Sequence, residues 1–285
     1  MLEPGIRRAL CEVARQAAAA AASAVRESSR PYRYTGGVNA GGDRVLEIDL
    51  AADSEALAWL ARGMERLALP YSTLSEESGL HRHGADFPLF LVDPVDGSAQ
   101  ARRLHPDCAV SIAIASGPTM ADLVVGIVQP IMSGEPYVAV AGEGAWQGDR
   151  ALPLIPSPSG PATSVLLEGP DAVATAALAP RFAATLPGCQ IHASGSIALQ
   201  LALLAAGCYD VLVACRTGAH AHDVAAGWLL VRESGSAFAD LGGLDIPSAG
   251  LTDGHTTYHC AAARRQDLLE QAVAITRGEP IVITS

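Results

Sequence analysis

Two aspartates, Asp93 and Asp96, stand three residues apart in a turn that follows a short apolar run. Pro94 restricts the backbone between them and has no amide hydrogen to donate, while Gly97 lets the chain bend and approach a ligand closely. Both carboxylates and the main-chain carbonyl of Val95 can therefore point at one place. Hard divalent cations such as Mg²⁺ prefer oxygen ligands, and substrate phosphates commonly complete their coordination. The stretch alone favours an ordinary turn, because Asp-Pro and Asp-Gly are common turn dipeptides.

Three further polar segments could contribute to the same site. Glu76 and Glu77 form a pair of acids after a strand-like run, Ser196 follows Gly195 before an apolar helical segment, and Asp223 opens another helical segment. Each has a structural alternative. The paired acids could lie in a solvated loop, and the serine and the aspartate could cap helices. Their joint occurrence, in this order, favours one site assembled from four segments.

The composition is that of a folded, acidic protein. The chain has 285 residues, of which 49% are hydrophobic and 17% charged, so it can build a large core as one domain or as two lobes. A formal net charge of −11 disfavours nucleic-acid binding through a basic face. The chain contains no lysine, which excludes Schiff-base chemistry on lysine and a phosphate-binding P-loop.

The cysteines and the apolar segments indicate the cellular compartment of the protein. Six cysteines occur without a CxxC pair, which indicates thiols in a reducing compartment. The alanine-rich N-terminal segment differs from a signal peptide because Arg7, Glu12 and Arg15 interrupt it. No apolar run approaches the roughly 20 residues of a membrane span. We therefore expect a soluble, cytoplasmic protein that binds neither nucleic-acid polymers nor membranes.

The elements that must position these side chains form a different pattern in each half. The first half contains two helical segments, 4–28 and about 49–68, and then short strand-like runs separated by turn residues, which favours an antiparallel sheet. These runs are 71–74, 89–92, 109–115, 123–129 and 137–141. The glycine-rich segment 36–42 is compatible with a mobile loop or with a hairpin connection.

In the second half, strand-like and helical segments alternate, which favours an α/β lobe. These segments are 164–167, 172–186, 197–206, 210–214 and 224–234. Between the halves, residues 152–163 contain four prolines together with serine and glycine, a composition typical of a connection. We therefore predict an α+β lobe at 1–150, which carries most of the candidate ligands, and an α/β lobe at 151–285, which completes the site.

Taken together, the polar segments resemble the inositol monophosphatase family of Mg²⁺-dependent phosphatases, many of which are sensitive to lithium. That family carries the motifs Gly-Glu-Glu, Asp-Pro-Ile-Asp-Gly-Thr and Trp-Asp-x-Ala-Ala-Gly. Here they read Ser-Glu-Glu at 75–77, Asp-Pro-Val-Asp-Gly-Ser at 93–98 and His-Asp-Val-Ala-Ala-Gly at 222–227. The resemblance spans most of the chain. It implies an α/β (α+β) fold layered as an αβαβα sandwich, and a homodimer.

The resemblance also implies a role for each matching residue. The implied ligands of two or three Mg²⁺ are Glu76, Asp93, the carbonyl of Val95, Asp96 and Asp223. The residues implied to orient and deprotonate the attacking water are Glu76 and Ser98, with Asp49 behind them. The main-chain amides of Gly97 and Ser98 would hold the phosphate, since helix starts favour anions. The residues implied to face the alcohol portion of the substrate are Gly195 and Ser196.

The physical chemistry of a phosphate monoester agrees with that assignment. The ester is a dianion, and its hydrolysis needs charge neutralisation, an aligned water and a stabilised leaving oxygen. Two metal ions about 4 Å apart supply all three. We therefore predict a Mg²⁺-dependent phosphatase that uses metal-activated water on a small sugar, inositol-like or nucleotide phosphate. The alternative is a non-catalytic regulatory subunit that binds a metal or a phosphorylated metabolite.

Several positions depart from the family pattern. Ser75, Ser98, Gln100 and His222 stand where the family has glycine, threonine, asparagine and tryptophan. Arg216 lies seven residues before Asp223, where inositol-specific members carry a glutamate that contacts ring hydroxyls. The reversed charge disfavours plain inositol 1-phosphate. It suits a second phosphate or another acidic group, although a surface arginine is an equal alternative.

Two His-x-His pairs suggest a different metal. His220 and His222 precede Asp223, and His81 and His83 form a second pair. Such pairs can bind zinc, as in metal-dependent amidohydrolases, but they are more often polar loop residues when no further ligand motif supports them.

Overall fold

The computed structural model describes residues 3–39, 44–156, 164–168, 172–215, 219–252 and 256–278. The helices in these ranges are α1 (Pro4–Glu27), α2 (Glu47–Leu67), α3 (Ser98–Ala101), α4 (Ala172–Thr185), α5 (Ile197–Ala206), α6 (Ala221–Glu233) and α7 (Gln266–Arg277). The strands are β1 (Tyr34–Val38), β2 (Arg44–Leu46), β3 (Tyr71–Ser75), β4 (Gly79–Asp96), β5 (Ala109–Ala115), β6 (Leu123–Pro130), β7 (Tyr137–Val140), β8 (Gly144–Gln147), β9 (Arg150–Ala151), β10 (Ser164–Glu168), β11 (Gln190–His192), β12 (Val211–Ala214), β13 (Ala237–Asp240) and β14 (Cys260–Ala263).

Two sheets separate the core into three clusters, because alternating side chains of each sheet point to opposite faces. With the helices that cover these faces, the fold has five layers. In β4, Phe90 packs with α1 and α2, whereas Leu91 packs with α5 and α6 on the opposite face. In β10, Leu166 belongs to the core around α5 and α6, whereas Val165 packs with α4 and α7. Period-two alternation of buried residues is what a sheet covered on both faces requires. The order of layers is therefore αβαβα, as the resemblance implies.

The seven-stranded sheet has the order β3-β4-β5-β6-β7-β8-β9. From β4 onward, neighbouring strands of this sheet are antiparallel, as predicted. The antiparallel prediction is wrong for the predicted strands 71–74 and 89–92, which are parallel. Strand β4 is long, and its first part runs back along β3, pairing Ser75 with Gly79. Its second part runs parallel to β3, from Ser72 opposite Leu89 to Ser75 opposite Val92. This parallel register brings the carboxyl ends of β3 and β4 to one edge of the sheet.

The second sheet is mixed and has the order β11-β10-β12-β14-β13. Strand β10 is parallel to both β11 and β12, and β14 is antiparallel to β12 and β13. The two sheets lie on either side of residues 152–163 in the chain, while α5 and α6 pack between them. The division into lobes at 1–150 and 151–285 stays a prediction. Among the helices of the described ranges, none has the length and apolar character to cross a membrane.

Helix α6 lies unusually close to its neighbours on two sides. A Cβ atom at Gly126 in β6 would lie 2.8 Å from the carbonyl oxygen of Ala226 in α6. A Cβ atom at Gly227 would lie 2.6 Å from the side chain of Leu201 in α5. Glycine at both positions lets α6 approach the backbone of β6 and the Leu201 side chain more closely than a larger residue would allow.

A short antiparallel pair, β1 and β2, precedes α2, and Tyr34 lies opposite Leu46. Gly36 and Gly37 fall within β1, whereas Gly41 and Gly42 lie outside the described residues. The pair leads directly into α2, so that it stands beside the N-terminus of that helix.

Candidate active site

One cavity of about 470 Å³ contains most of the predicted site residues. It lies where the ends of β3 and β4 meet the starts of α2, α3, α5 and α6. The predicted residues on its wall are Asp49, Glu76, Asp93, Val95, Asp96, Gly97, Ser98, Gly195 and Asp223. Ser196 is buried behind the wall, and Arg216 lies outside the described residues.

Glu76 and Asp93 lie side by side because β3 and the second part of β4 are parallel. The main-chain N–H of Glu76 donates to the carbonyl oxygen of Val92 at 3.0 Å, immediately before Asp93. Asp93 is 1% exposed, and its Oδ1 accepts the N–H of Val95 at 2.9 Å. Asn39 donates to Glu76 Oε1 at 3.0 Å. The two carboxylates are therefore held at the sheet edge by main-chain geometry.

Asp96 connects this sheet edge to helix α5. Its Oδ2 accepts two hydrogen bonds of 2.6 Å, from Ser196 Oγ and from the N–H of Ala198. Ser196 also caps α5, since its Oγ accepts the N–H of Leu199 at 3.1 Å. Ser196 therefore orients Asp96, and the residue of the pair that lines the cavity is Gly195. A Cβ atom at Gly195 would overlap Gln100 Nε2, which packs directly against it.

Asp49 and Asp223 each use one carboxylate oxygen near a helix start. Asp223 Oδ2 accepts the N–H of His220 at 2.6 Å, and Asp49 Oδ2 accepts the N–H of Leu46 at 2.8 Å. Each residue therefore binds the main chain at a helix start, as the capping alternative predicted for Asp223, and this contact uses one oxygen of each carboxylate. Asp223 Oδ1 lies 3.3 Å from His222 Nε2, and buried Asp49 Oδ1 has no hydrogen-bond partner among the described residues.

The acidic side chains raise one another's pKa values. Burial, followed by the charges of Asp223 and Glu77, raises the pKa of Glu76 to about 9. Burial and the charges of Glu76, Asp96 and Asp223 raise the pKa of Asp93 well above its usual range. Burial also raises the pKa of Asp49 to about 6, against the opposing effects of the Leu46 N–H and of the nearby Ser98 hydroxyl. Desolvated carboxylates this close need a cation to remain ionised together. The donor set thus fits a hard divalent metal.

His222 joins the acidic cluster, whereas the sequence suggested it as a metal ligand only in a zinc-binding pair with His220. Glu76, His222 and Asp223 each offer one ligand atom, and these atoms lie within 4.8 Å of one another. Burial lowers the pKa of His222, so its ring is neutral and able to bind a metal. His220, its partner in the motif, lies apart from this group and approaches the carbonyl of Thr256 at 3.3 Å. His81 contacts the carbonyl of Ser78 instead, and His83 stacks on Tyr71.

Ser98 and Gly97 form the turn between β4 and α3. Gly97 has φ +88°, and a Cβ atom there would lie 2.9 Å from the carbonyl oxygen of Asp107, so the turn requires glycine. Ser98 Oγ donates to the carbonyl oxygen of Val95 at 2.9 Å. This contact orients the hydroxyl that replaces the family's threonine, although serine has no methyl group to restrict its rotamer.

Among the cavity residues that were missed from sequence are Tyr34, Arg44 and Arg102. The available signal was weak. Arg102 lies four residues after Ser98, at a helical spacing, and Arg44 precedes the segment that leads into α2. Nothing in the local sequence indicates that both arginines approach the same tyrosine.

The fold is an αβαβα sandwich with a buried carboxylate cluster at the edge of one sheet. These features define a class of layered α+β proteins whose acidic site has the donor set of a metal site. The family model "Inositol monophosphatase family" matches residues 6–278. The chain therefore belongs to the inositol monophosphatase family, whose members are phosphatases. The family and the fold predicted from the motifs are both confirmed.

Individual relatives agree with this membership. The chain is 31% identical over 223 residues to a fructose-1,6-bisphosphatase/inositol-1-monophosphatase of Methanothermobacter thermautotrophicus, covering 73% of this chain and 75% of that protein. It is 32% identical over 219 residues to Nus factor SuhB of Pasteurella multocida, covering 75% and 76%. The crystal structure of the extragenic suppressor protein suhB from Bartonella henselae matches with a TM-score of 0.74 and 25% identity, covering 94% and 98%.

Proposed function

We propose that the chain is a Mg²⁺-dependent phosphatase that hydrolyses a small phosphate monoester in the 470 Å³ cavity. The observation that carries the proposal is the convergence of carboxylates from β3, β4 and α6 on one cavity. Asp96 and Asp223 each accept a main-chain N–H through Oδ2, which fixes the orientation of both carboxylates. Membership of a phosphatase family supports the reaction class.

We infer that Glu76, Asp93, the carbonyl of Val95, Asp96 and Asp223 would hold two or three Mg²⁺. The Val95 carbonyl has two lone pairs, so its hydrogen bond from Ser98 leaves one available. When bound, Mg²⁺ would supply charge neutralisation for the phosphate and acidity for water. His222 adds a nitrogen donor at the edge of the set, and nitrogen donors also suit zinc and other transition metals.

The proton of the attacking water would pass to groups that the chain itself supplies. Asp49 has a pKa raised to about 6, which is close to the value that suits a base at neutral pH. Its Oδ1 is buried and without a partner in the described structure, and Ser98 lies between Asp49 and the Val95 carbonyl. Glu76 contacts the same space from the end of β3. We propose Ser98, Glu76 and Asp49 as the groups that orient the water and accept its proton.

Ser98 offers a direct test of that assignment. Ser98→Ala is expected to reduce kcat by about 10²-fold, the lower end of the range for proton-transfer groups. Ser98→Thr restores the family's hydroxyl with a restricted rotamer, and we expect at least wild-type kcat from it. Steady-state phosphate release at saturating Mg²⁺ measures both variants. Equal kcat values for serine and alanine at this position would remove Ser98 from the proposed machinery.

The proposed reaction itself is tested by phosphate release from sugar, inositol and nucleotide phosphates, with Mg²⁺ and with EDTA. We expect release from at least one substrate with Mg²⁺ and none with EDTA. Metal analysis of the purified protein completes the experiment, because stoichiometric, tightly bound zinc would contradict the Mg²⁺ assignment. A plain inositol phosphate is expected to be a poor substrate.

A second candidate function is a non-catalytic regulatory subunit that binds a metal or a phosphorylated metabolite. The observation in its favour is the similarity to proteins named Nus factor SuhB. It predicts no phosphate release across the same substrates, together with measurable ligand binding. The family resemblance also leads us to propose a cytoplasmic homodimer, which light scattering of the purified protein would test.

A further inference from the structure

His222 places a nitrogen atom among the carboxylates at the start of helix α6. Its Nε2 lies 3.3 Å from Asp223 Oδ1, and the two side chains are only 13% and 14% exposed. Glu76 completes the group from the end of β3, and one ligand atom of each residue lies within 4.8 Å of those of the other two. A buried imidazole therefore shares one small space with two carboxylates.

The main chain at His222 is tied to the sheet that carries the other acids. The hydroxyl of buried Ser111 donates to the carbonyl oxygen of His222 at 2.9 Å. Ser111 lies directly opposite Asp93 in the antiparallel pairing of β4 and β5. The contact fixes the first turn of α6 against the sheet edge, and so keeps the His222 side chain beside the carboxylates, as a metal ligand requires.

The neighbouring histidine of the motif, His220, lies outside this group. Its ring centroid is 5.7 Å from that of His222, and its Nδ1 approaches the carbonyl oxygen of Thr256 at 3.3 Å instead. The imidazole of His222 is thus combined with carboxylates from β3 and α6 and not with a second imidazole, in contrast to the zinc pair that the His-x-His spacing suggests.

This mixture of donor atoms determines which ion the group would prefer. Carboxylate oxygens suit Mg²⁺, Ca²⁺ and Mn²⁺, whereas an imidazole nitrogen suits transition metals. Mn²⁺ combines the two preferences, because it takes oxygen ligands as Mg²⁺ does and is itself a first-row transition metal. Mg²⁺ is a hard cation that keeps several of its waters and gains little from nitrogen. Two carboxylates and one imidazole therefore distinguish Mn²⁺ from Mg²⁺.

We propose that His222 is a direct metal ligand, which together with Glu76 and Asp223 forms one position that favours Mn²⁺ over Mg²⁺. The inference rests on the proposed function, and it assigns the ion at one position of the proposed metal site. The remaining carboxylates, Asp93 and Asp96, supply oxygen ligands alone, which suit Mg²⁺.

The nitrogen ligand is tested by electron spin echo spectroscopy of the metal-free protein loaded with less than one Mn²⁺ per chain, without substrate. We expect nitrogen modulation of the Mn²⁺ signal in the wild type and its loss in His222→Phe, which keeps a ring but removes both nitrogens. His222→Trp, which restores the residue of the family motif, is a second variant that should lose it. Circular dichroism checks that the variants are folded.

His220→Phe is the matched control for these variants. It makes the same change two residues away and keeps the main-chain N–H that Asp223 Oδ2 accepts. We therefore expect its nitrogen modulation to equal that of the wild type.

Selectivity is measured by calorimetric titration of the same proteins with Mn²⁺ and with Mg²⁺. Loss of a group that merely orients a metal ligand costs about 10- to 100-fold in affinity, so His222→Phe should bind Mn²⁺ at least about tenfold more weakly. Its affinity for Mg²⁺ should change much less, because Mg²⁺ gains little from nitrogen. His220→Phe should keep both affinities.

A wild-type protein without nitrogen modulation would overturn the inference, and so would modulation that survives in both His222 variants. An equal loss of Mn²⁺ and Mg²⁺ affinity in His222→Phe would also overturn it, because a residue that only packs against Asp223 affects both ions alike. These measurements need no turnover. Absence of phosphate release with Mg²⁺ would therefore contradict the proposed function, while nitrogen modulation in the same protein would still support His222 as a ligand.

Discussion

Asp96→Asn is expected to reduce the rate of Mg²⁺-dependent phosphate release by about 10³-fold or more, equivalent to about 4 kcal/mol of activation free energy. The amide oxygen of asparagine can still accept the hydrogen bonds from Ser196 and Ala198 that now reach Asp96 Oδ2. The link to α5 is thereby kept, while one negative charge is removed from the candidate metal site. Initial rates with each substrate, together with circular dichroism, measure the effect.

Ser196→Ala is the matched control for Asp96→Asn. It removes one of the two hydrogen bonds to Asp96 Oδ2 but keeps the carboxylate charge. Loss of such an outer partner typically costs 10- to 100-fold in metal affinity or activity, so we expect about a tenfold reduction. Thermal unfolding in EDTA should show Asp96→Asn to be at least as stable as the wild type, because the variant has less repulsion among buried acids. Wild-type turnover by Asp96→Asn would refute the assignment of the site.

Removing divalent metal is expected to make the stability of the protein fall as pH rises. The folded protein without metal keeps a proton on Glu76 up to a pKa of about 9, whereas the group's ordinary value is 4.5. Between these values the unfolded chain binds fewer protons than the folded chain, so the free energy of unfolding decreases with pH. One proton corresponds to about 1.4 kcal/mol per pH unit. We expect a loss of about 2–3 kcal/mol between pH 6 and pH 8, or about 5 °C in Tm.

Mg²⁺ should oppose this loss, because its binding requires the carboxylates to release their protons. The increase in Tm on adding Mg²⁺ is therefore expected to be larger at pH 8 than at pH 6. Glu76→Gln provides the control, since glutamine does not titrate. The Tm of this variant in EDTA should therefore depend less on pH than that of the wild type. Identical pH profiles for the wild type and Glu76→Gln in EDTA would contradict the raised pKa.

The secondary structure was predictable where apolar runs and turn signals agree. Strand 109–115 and helix 197–206 have the predicted bounds, because both are continuous buried runs between clear breaks. Strand β4 was predicted only at 89–92 but spans Gly79–Asp96, because Gly84 and Pro88 look like turn residues. The local pattern could not show that the chain doubles along both edges of β3. That pairing is a long-range property, and it gives β3 and β4 their parallel register.

The candidate site was predictable in its acidic half and not in its basic half. Carboxylates in turn and cap positions carry motif information, and the cavity collects Asp49, Glu76, Asp93, Asp96 and Asp223. The role of Ser196 as a hydrogen-bond donor to Asp96 depends on the meeting of α5 with β4, and so is set by packing rather than by its own motif. The contact between Tyr34 and Arg102 at the cavity likewise depends on β1 folding beside α3.

The two glycine contacts of α6 make the position of its first turn, which carries Asp223, depend on residues far from the cavity. Gly126 and Gly227 set how deeply the helix sits between β6 and α5, and Asp223 is carried on the first turn of that helix. A Cβ atom at either glycine would force the helix or the residue that it contacts to shift. Substitutions at these two glycines can thus alter the distance between Asp223 and the carboxylates of β3 and β4, although neither glycine lines the cavity. Under the proposed function, metal affinity would therefore respond to substitutions in the interior packing of the fold.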